Sequence, residues 1–190
     1  MTSVDAASVG GGTVAAADGP GVDPVSDQLA QARARALSSP LRLRILRFCL
    51  HEGRTNREIA AEFALNPGTS LHHVRTLLDT GFLIAGEGRR GRRGAREIPY
   101  RATGRSWDTP VPDVGPILLR AFVDEVEGVP PADLAIARLG LKLNPASEQE
   151  LHRRLDALLT EFKDRGPDAD GRPVGVMVAI HPERRRPTQS

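Results

Sequence analysis

The stretch TNREIAAEFALNPGTSLHHVRTLLDTG, residues 55–81, decides the fold. It reads as two short helices with a tight turn between them. Thr55 followed three residues later by Glu58 is a capping box, in which two free donors of the helix start are satisfied reciprocally. Ile59, Ala60 and Phe63 follow at helical spacing, and Ala64 and Leu65 form the turn. Asn66 is a strong N-cap residue, and Pro67 suits the first helical position, where a missing N–H costs nothing. Val74, Leu77 and Leu78 give the second helix a core face, and Gly81 stops it. At 100° per residue, Gly68, His72 and Arg75 point away from that face, with Thr69 beside them. A helix held this way, small and donor-bearing residues outward, has the shape that enters a DNA major groove.

Upstream, SDQLAQARARAL forms a helix from about Val25 to Leu37, with Leu29, Ala32, Ala36 and Leu37 on one side. Ser38-Ser39-Pro40 is a boundary with a helix start built in. The next helix runs from Leu41 to His51. Leu41, Ile45, Phe48 and Cys49 share a face that Leu43, Leu46 and Leu50 widen, while Arg42, Arg44 and Arg47 stay outside it. So broad an apolar surface suits a helix enclosed by neighbours. Gly53 ends it. Residues 1–24, rich in Gly, Ala, Ser and Asp and without period, carry the composition of a disordered tail.

Downstream, FLIAGEG (82–88) is a short strand, RRGRRG (89–94) a loop, and AREIPYRAT (95–103) a return strand with Ile98, Tyr100 and Ala102 on one face. Pro99 cannot donate a ladder hydrogen bond, so this strand is expected at an edge or with a bulge. A hairpin after a probe helix is a wing. Its tip carries Arg89, Arg90, Arg92 and Arg93, which can track phosphates or enter a narrow minor groove. The competing reading is a solvated charge loop with no fixed partner.

The formal net charge of +2 hides an asymmetry. Residues 1–29 hold four Asp and no basic residue; residues 30–107 hold 15 Arg against six acidic residues; residues 108–190 hold 11 basic against 14 acidic residues. One basic segment between two acidic ones is the footprint of a polyanion binder. A GC-rich genome would explain Arg in place of Lys, but not why the charge concentrates. The single cysteine, Cys49, excludes an internal disulfide and a Cys-based metal cluster within one chain, and its helical apolar surroundings fit a buried core thiol. No signal peptide is read at the start, and no apolar run approaches the roughly 20 residues of a membrane helix. The expected setting is a soluble cytoplasmic protein.

SSPLRLRILRFCL, then TNREIAAEFALNPGTSLHHVRTLLDTGFL, then the Arg-Gly wing ending in REIPYRAT, resembles the ArsR-type winged-helix transcriptional regulators. The resemblance covers roughly Ser26 to Thr103. Its most specific pieces are the Ser-Pro-Leu-Arg helix entry, the paired His72-His73 and the Leu-Asp-x-Gly-Phe-Leu exit into the wing. It implies a homodimer that binds a partly palindromic operator in double-stranded DNA and usually represses. The residues assigned to DNA are Thr55, Pro67, Gly68, Thr69, Leu71, His72, Arg75, Arg89, Arg90, Arg92 and Arg93. His72 would lie at the DNA, while His73 turns towards the core edge as a packed, hydrogen-bonded structural histidine. Many members of the family sense metals through Cys pairs in the helix before the turn, or through His and acidic ligands in a C-terminal helix. Here TNREIAAEF has no Cys, and His152 stands beside Arg153 and Arg154, so no metal site and no cofactor are expected.

Residues 104–113, GRSWDTPVPD, form a Pro-rich connector with Trp107 on the domain edge. GPILLRAFVDEVEGV (115–129) is an amphipathic helix with apolar Ile117, Leu118, Ala121, Phe122 and Val126 and an acidic other face. The resemblance gives it a place in a dimer interface; packing on its own domain is the alternative. LAIARLGLKL (134–143) reads as a strand, Asn144-Pro145 starts a helix to about Arg165 with a Leu151, Leu155, Leu158, Leu159 and Phe162 stripe, and VGVMVAI (174–180) reads as a second strand. The fold class is therefore α+β, mainly α: a winged helix-turn-helix domain (25–107) followed by the amphipathic helix and a small strand–helix–strand unit (108–181), then a tail (182–190). No phosphate-cradling loop, His-Glu-x-x-His or Ser/His/Asp constellation appears, so an enzyme is not expected. A sequence-specific DNA-binding regulator is the leading reading. A winged-helix adaptor for a protein or small ligand, without specific DNA binding, is the alternative. An effector acting near residues 115–181 would be a small organic ligand or a partner protein.

Overall fold

The computed structural model describes residues 24–90 and 96–183. The readings for residues 1–23 and 184–190, and those for Arg92 and Arg93, lie outside them. The order of elements is α1 (Pro24–Leu37), α2 (Pro40–Phe48), β1 (Arg54–Thr55), α3 (Asn56–Glu62), α4 (Pro67–Asp79), β2 (Leu83–Ala85), β3 (Arg89–Arg90), β4 (Arg96–Glu97), β5 (Pro99–Ala102), α5 (Gly115–Val126), a 3-10 turn (Pro131–Asp133) and α6 (Pro145–Arg165). The fold is mostly helical with a small antiparallel sheet.

The starts of α2, α3 and α4 each carry their own signal. The Ser39 side chain accepts from Arg42 N ahead of Pro40, Thr55 and Glu58 close both halves of a capping box, and Asn66 accepts from Thr69 N ahead of Pro67. The turn between α3 and α4 passes through Ala64 at φ 49° and closes with Leu65 N donating to Ala60 O at 2.8 Å. Gly81 follows α4 at φ 75°, and Phe82 N donates back to Leu77 O at 2.9 Å, a left-handed exit that a Cβ would strain. The second helix stops at Phe48, shorter than its apolar pattern. Cys49 turns out of the helix and its carbonyl accepts from Ala102 N at 2.9 Å, so the chain end of α2 is tied to the sheet.

The sheet order is β1-β5-β2, all antiparallel, with Leu83 opposite Ala102, Ala85 opposite Tyr100 and Arg54 opposite Tyr100. This corrects the expectation for Pro99. Its strand is central, because β1, two residues with no periodic signal of their own, adds to its other side. Pro99 is tolerated as the first residue of β5, and its carbonyl still accepts from Gly86 N at 2.8 Å. The return strand is also interrupted: β4 pairs with β3 (Arg89 opposite Glu97, Arg90 opposite Arg96), and Ile98 between β4 and β5 is exposed rather than facing the core with Tyr100.

The core joins Ala36 and Leu37 of α1, Ile45 and Leu46 of α2, Cys49, Ile59, Val74, Leu77, Phe82, Leu83 and Tyr100. α5 packs against α2 through buried Ala121, and its acidic side meets the arginines of α2, Arg47 to Glu125 at 2.9 Å and Arg44 to Asp124 at 4.0 Å. Its Leu118, Leu119 and Val123 remain exposed. Packing on its own domain is thus part of the role of this helix. Trp107 is half exposed, with the Lys163 ammonium 5.9 Å from its ring centre.

The two segments read as strands, 134–143 and 174–180, are not strands in this chain: neither has a ladder partner among the described residues. Their composition favours an extended pleat, yet a strand leaves a row of donors and acceptors open unless another strand answers it. α6 forms as read, capped by Asn144 accepting from Ser147 N at 2.9 Å, but buries none of its residues. No helix among the described residues is long and apolar enough to cross a membrane.

Candidate nucleic-acid interface

α4 is held at both ends. At its start, the Asn66 carboxamide oxygen accepts from Thr69 N at 2.8 Å. Asn56 at the head of α3 donates through Nδ2 to Pro67 O at 3.0 Å, and Ser70 Oγ donates back to Asn56 O at 3.3 Å. Asn56 and buried Ser70 thereby clamp the first turn of α4 to α3. At its far end, Arg33 of α1 donates to Thr80 O at 3.2 Å, placing a cation where the helix dipole is negative. Sequence reading missed all three. Ser70 lies on the same side as Val74 and Leu77 by helical phase, which would have flagged it; Arg33 is 47 residues away and carries no local sign.

Ser70, Val74 and Leu77 are buried, and Pro67, Gly68, Thr69, His72 and Arg75 are exposed along the opposite side. The structure therefore brings five of the predicted contacts together on one solvent-facing strip, with Leu71 half buried beside it. Thr55 does not join them. It is 2 % exposed, its hydroxyl accepts from Glu58 N at 3.2 Å and donates to Glu58 Oε2 at 2.9 Å, and so it is consumed by the cap. Buried, and with its hydroxyl proton given to Glu58, Thr55 has no donor left for a ligand.

His73 is partly buried, as its phase requires, but its Nδ1 has no hydrogen-bond partner, which corrects the expectation of a hydrogen-bonded ring. Burial, then the Arg42 and His72 charges, holds its pKa below the usual histidine value. His73 is thus biased to the neutral form. His72 stands exposed with its ring 5.7 Å from that of His73.

Arg89 begins the strand pair of the wing, and its guanidinium is 3.3 Å from Glu58 Oε1. Arg57 pairs likewise with Glu97 of β4 at 3.1 Å. These two ion pairs fasten the base of the wing to α3, next to the start of α4. Glu58 is held below the ordinary carboxylate range, chiefly by the Thr55 backbone N–H; burial, the next largest effect, opposes it, and the Thr55 hydroxyl, Arg89 and Arg54 add to the lowering. Arg90 lies in β3 opposite Arg96.

The basic excess read along the chain is not spread evenly in space. Arg44 and Arg47 face the acidic side of α5, and Arg42 caps α1 by donating to Ala36 O at 2.6 Å and Arg35 O at 2.7 Å. Arg75 on α4 and Arg101 on β5 remain exposed. Acidic α5 thereby neutralises arginines of α2. Among the described residues, no three His, Cys, Asp or Glu gather where a metal ion could be held.

No family model matches the chain, and no curated protein matches it. Several solved structures are similar. Reduced HlyU from Vibrio cholerae is 14 % identical, with 56 % of this chain and 95 % of that one covered and a TM-score of 0.34. The homodimeric winged helix-turn-helix DNA-binding domain of Mb0332 from Mycobacterium bovis, described as a possible ArsR-family regulator, is 23 % identical over 58 % of this chain and 93 % of that one, with a TM-score of 0.37. MepR from S. aureus, solved with DNA, is 14 % identical over 74 % and 91 %, with a TM-score of 0.32.

Proposed function

We propose that the protein is a sequence-specific DNA-binding transcriptional regulator, a homodimeric repressor in the ArsR manner. One observation carries the reading: α4 is clamped at its first turn and turns Pro67, Gly68, Thr69, His72 and Arg75 outward beside an arginine-bearing strand pair. In this reading the first turns of α4 enter the major groove. Thr69, His72 and Arg75 supply donors for base edges, and Gly68 allows close backbone approach. Arg89 and Arg90, with Arg92 and Arg93 further along the loop, take phosphates or the minor groove. A second copy places a second α4 one helical turn along a partly palindromic operator. A small organic ligand or a partner protein acting on residues 115–181 would tune that placement, and the working compartment is the cytoplasm.

The test is titration of the DNA upstream of the protein's own gene against unrelated duplex, by fluorescence anisotropy at several salt concentrations. The expected result is a footprint of two related half-sites and an affinity that falls steeply with salt. Equal affinity for all duplexes, or none for any, would overturn it.

A further inference from the structure

The region after α5 contains much apolar surface and, among the described residues from 127 to 183, no buried residue. Within it, 174–180 reads Val-Gly-Val-Met-Val-Ala-Ile. Large apolar residues stand at every second position, 68 % exposed at Val174, 65 % at Val176, 47 % at Val178 and 43 % at Ile180. Among the described residues, no strand answers its backbone. The pattern of sizes is also the same forwards and backwards about Met177.

We infer that residues 174–180 pair with the same residues of a second copy of this chain, as antiparallel strands related by a two-fold axis at Met177. The inference deepens the homodimer reading above and rests on it. A two-fold interface must be self-complementary, residue i meeting j while j meets i. In this register Val174 lies opposite Ile180, Val176 opposite Val178, and Gly175 opposite Ala179. Every pair matches large with large or small with small, and the four large residues of each copy form one continuous face. The segment holds no charge, so nothing repels across the axis. A partner of unrelated sequence would not require the palindrome.

The surface on offer is of the right size. Burying a Val, Leu or Ile side chain removes roughly 60–120 Å² from water. Eleven large apolar residues are exposed between Val129 and Ile180, only four of them within 174–180; the strand itself offers about 200 Å² of apolar side chain, and with the other seven each copy offers on the order of 500 Å². That is the apolar share of the roughly 800 Å² per partner that a stable pair buries. The α6 stripe, with Leu158 and Phe162 exposed, belongs to the same uncovered region.

The experiment is disulfide trapping in the full chain, with sedimentation in parallel. Directly opposed residues have Cα atoms about 4.5–5.5 Å apart, within disulfide range, so Met177→Cys should convert to covalent dimer under mild oxidant. Ala179→Cys is displaced four residues from its own copy, roughly 14 Å, and should stay at the background of the wild type, whose Cys49 is buried. The double variant Gly175→Cys/Ala179→Cys should cross-link again and decides the matter should Met177→Cys fold poorly. Equal trapping at 177 and 179 overturns the register. A sedimenting dimer with no trapping at 177 or at 175/179 overturns the inference while the homodimer stands. A monomer at tens of micromolar overturns both, and a trapped dimer indifferent to operator DNA leaves the inference standing while the DNA reading falls.

Discussion

At the scale of the residue, two neighbours in sequence are given opposite work by helical phase. His72 faces solvent with Arg75, and His73 turns inward with an unpartnered Nδ1. Under the proposed function, His72→Ala and Arg75→Ala should each cost about 1–3 kcal/mol on the preferred operator and little on random duplex, as competition binding would read. Equal losses on both would make them phosphate contacts instead. Cys49 gives a second residue-scale prediction. Its thiol is fully buried and pushed up to about 12, first by burial and then by Glu58, against Arg54. An alkylating reagent at neutral pH should leave it untouched in the folded protein and label it fully in denaturant, because the thiolate is the nucleophile. Rapid native labelling would show that α2 opens locally.

At the scale of the element, the capping box at the head of α3 does three things at once. It starts the helix, it holds Thr55 buried at the end of β1, and it leaves Glu58 Oε1 to hold Arg89. Thr55→Ala should therefore lower unfolding stability by about 1–2 kcal/mol while leaving base preference among operators intact; a shift in preference with stability unchanged would return Thr55 to the contact set. The acid side of the stability profile follows from the same site and from His73. Both groups have folded pKa values below their ordinary ones, 4.5 for Glu58 and 6.5 for His73. In each case the unfolded chain binds the proton more readily, so stability falls as pH drops. The His73 share is complete above pH 6.5 and is lost on going below it; the Glu58 share is complete above 4.5 and is lost below that. Urea midpoints at about pH 7.5, 6.0 and 5.0 should decline for the wild type and decline less for His73→Gln. Identical slopes would exclude His73 as the source.

At the scale of the whole molecule, charge is arranged by contact rather than by order along the chain. α5 brings Asp124 and Glu125 to the arginines of α2, while Arg75 of α4 and Arg89 of β3 are exposed. A polyanion should meet the exposed arginines and not those already paired with α5. Under the DNA reading, Arg89→Ala should weaken binding to all sequences alike and reduce the slope of log affinity against log salt by about 1. Arg47→Ala, whose guanidinium is already paired with Glu125, should leave that slope unchanged. A loss of slope at Arg47 would mean that the paired face also approaches the duplex.

The order of amino acids determined, by itself, whatever depends on residues three or four apart. Ser39-Pro40, Thr55-Glu58 and Asn66-Pro67 each mark a helix start, and the phase of Val74 and Leu77 separates the inner from the outer side of α4. Those relations are local, so the chain carries them wherever it folds. Tertiary structure alone decided that β5 is a central strand, since that needs β1 from the far side of both helices of the turn motif; that Arg44 and Arg47 are spent on α5; and that Arg33 closes the end of α4. It also decided that 134–143 and 174–180 do not pair within one chain, although their apolar patterns read as strands. A periodic pattern states which face of a segment seeks cover. It does not state what covers it, because the hydrophobic effect has no direction and a ladder needs a second strand.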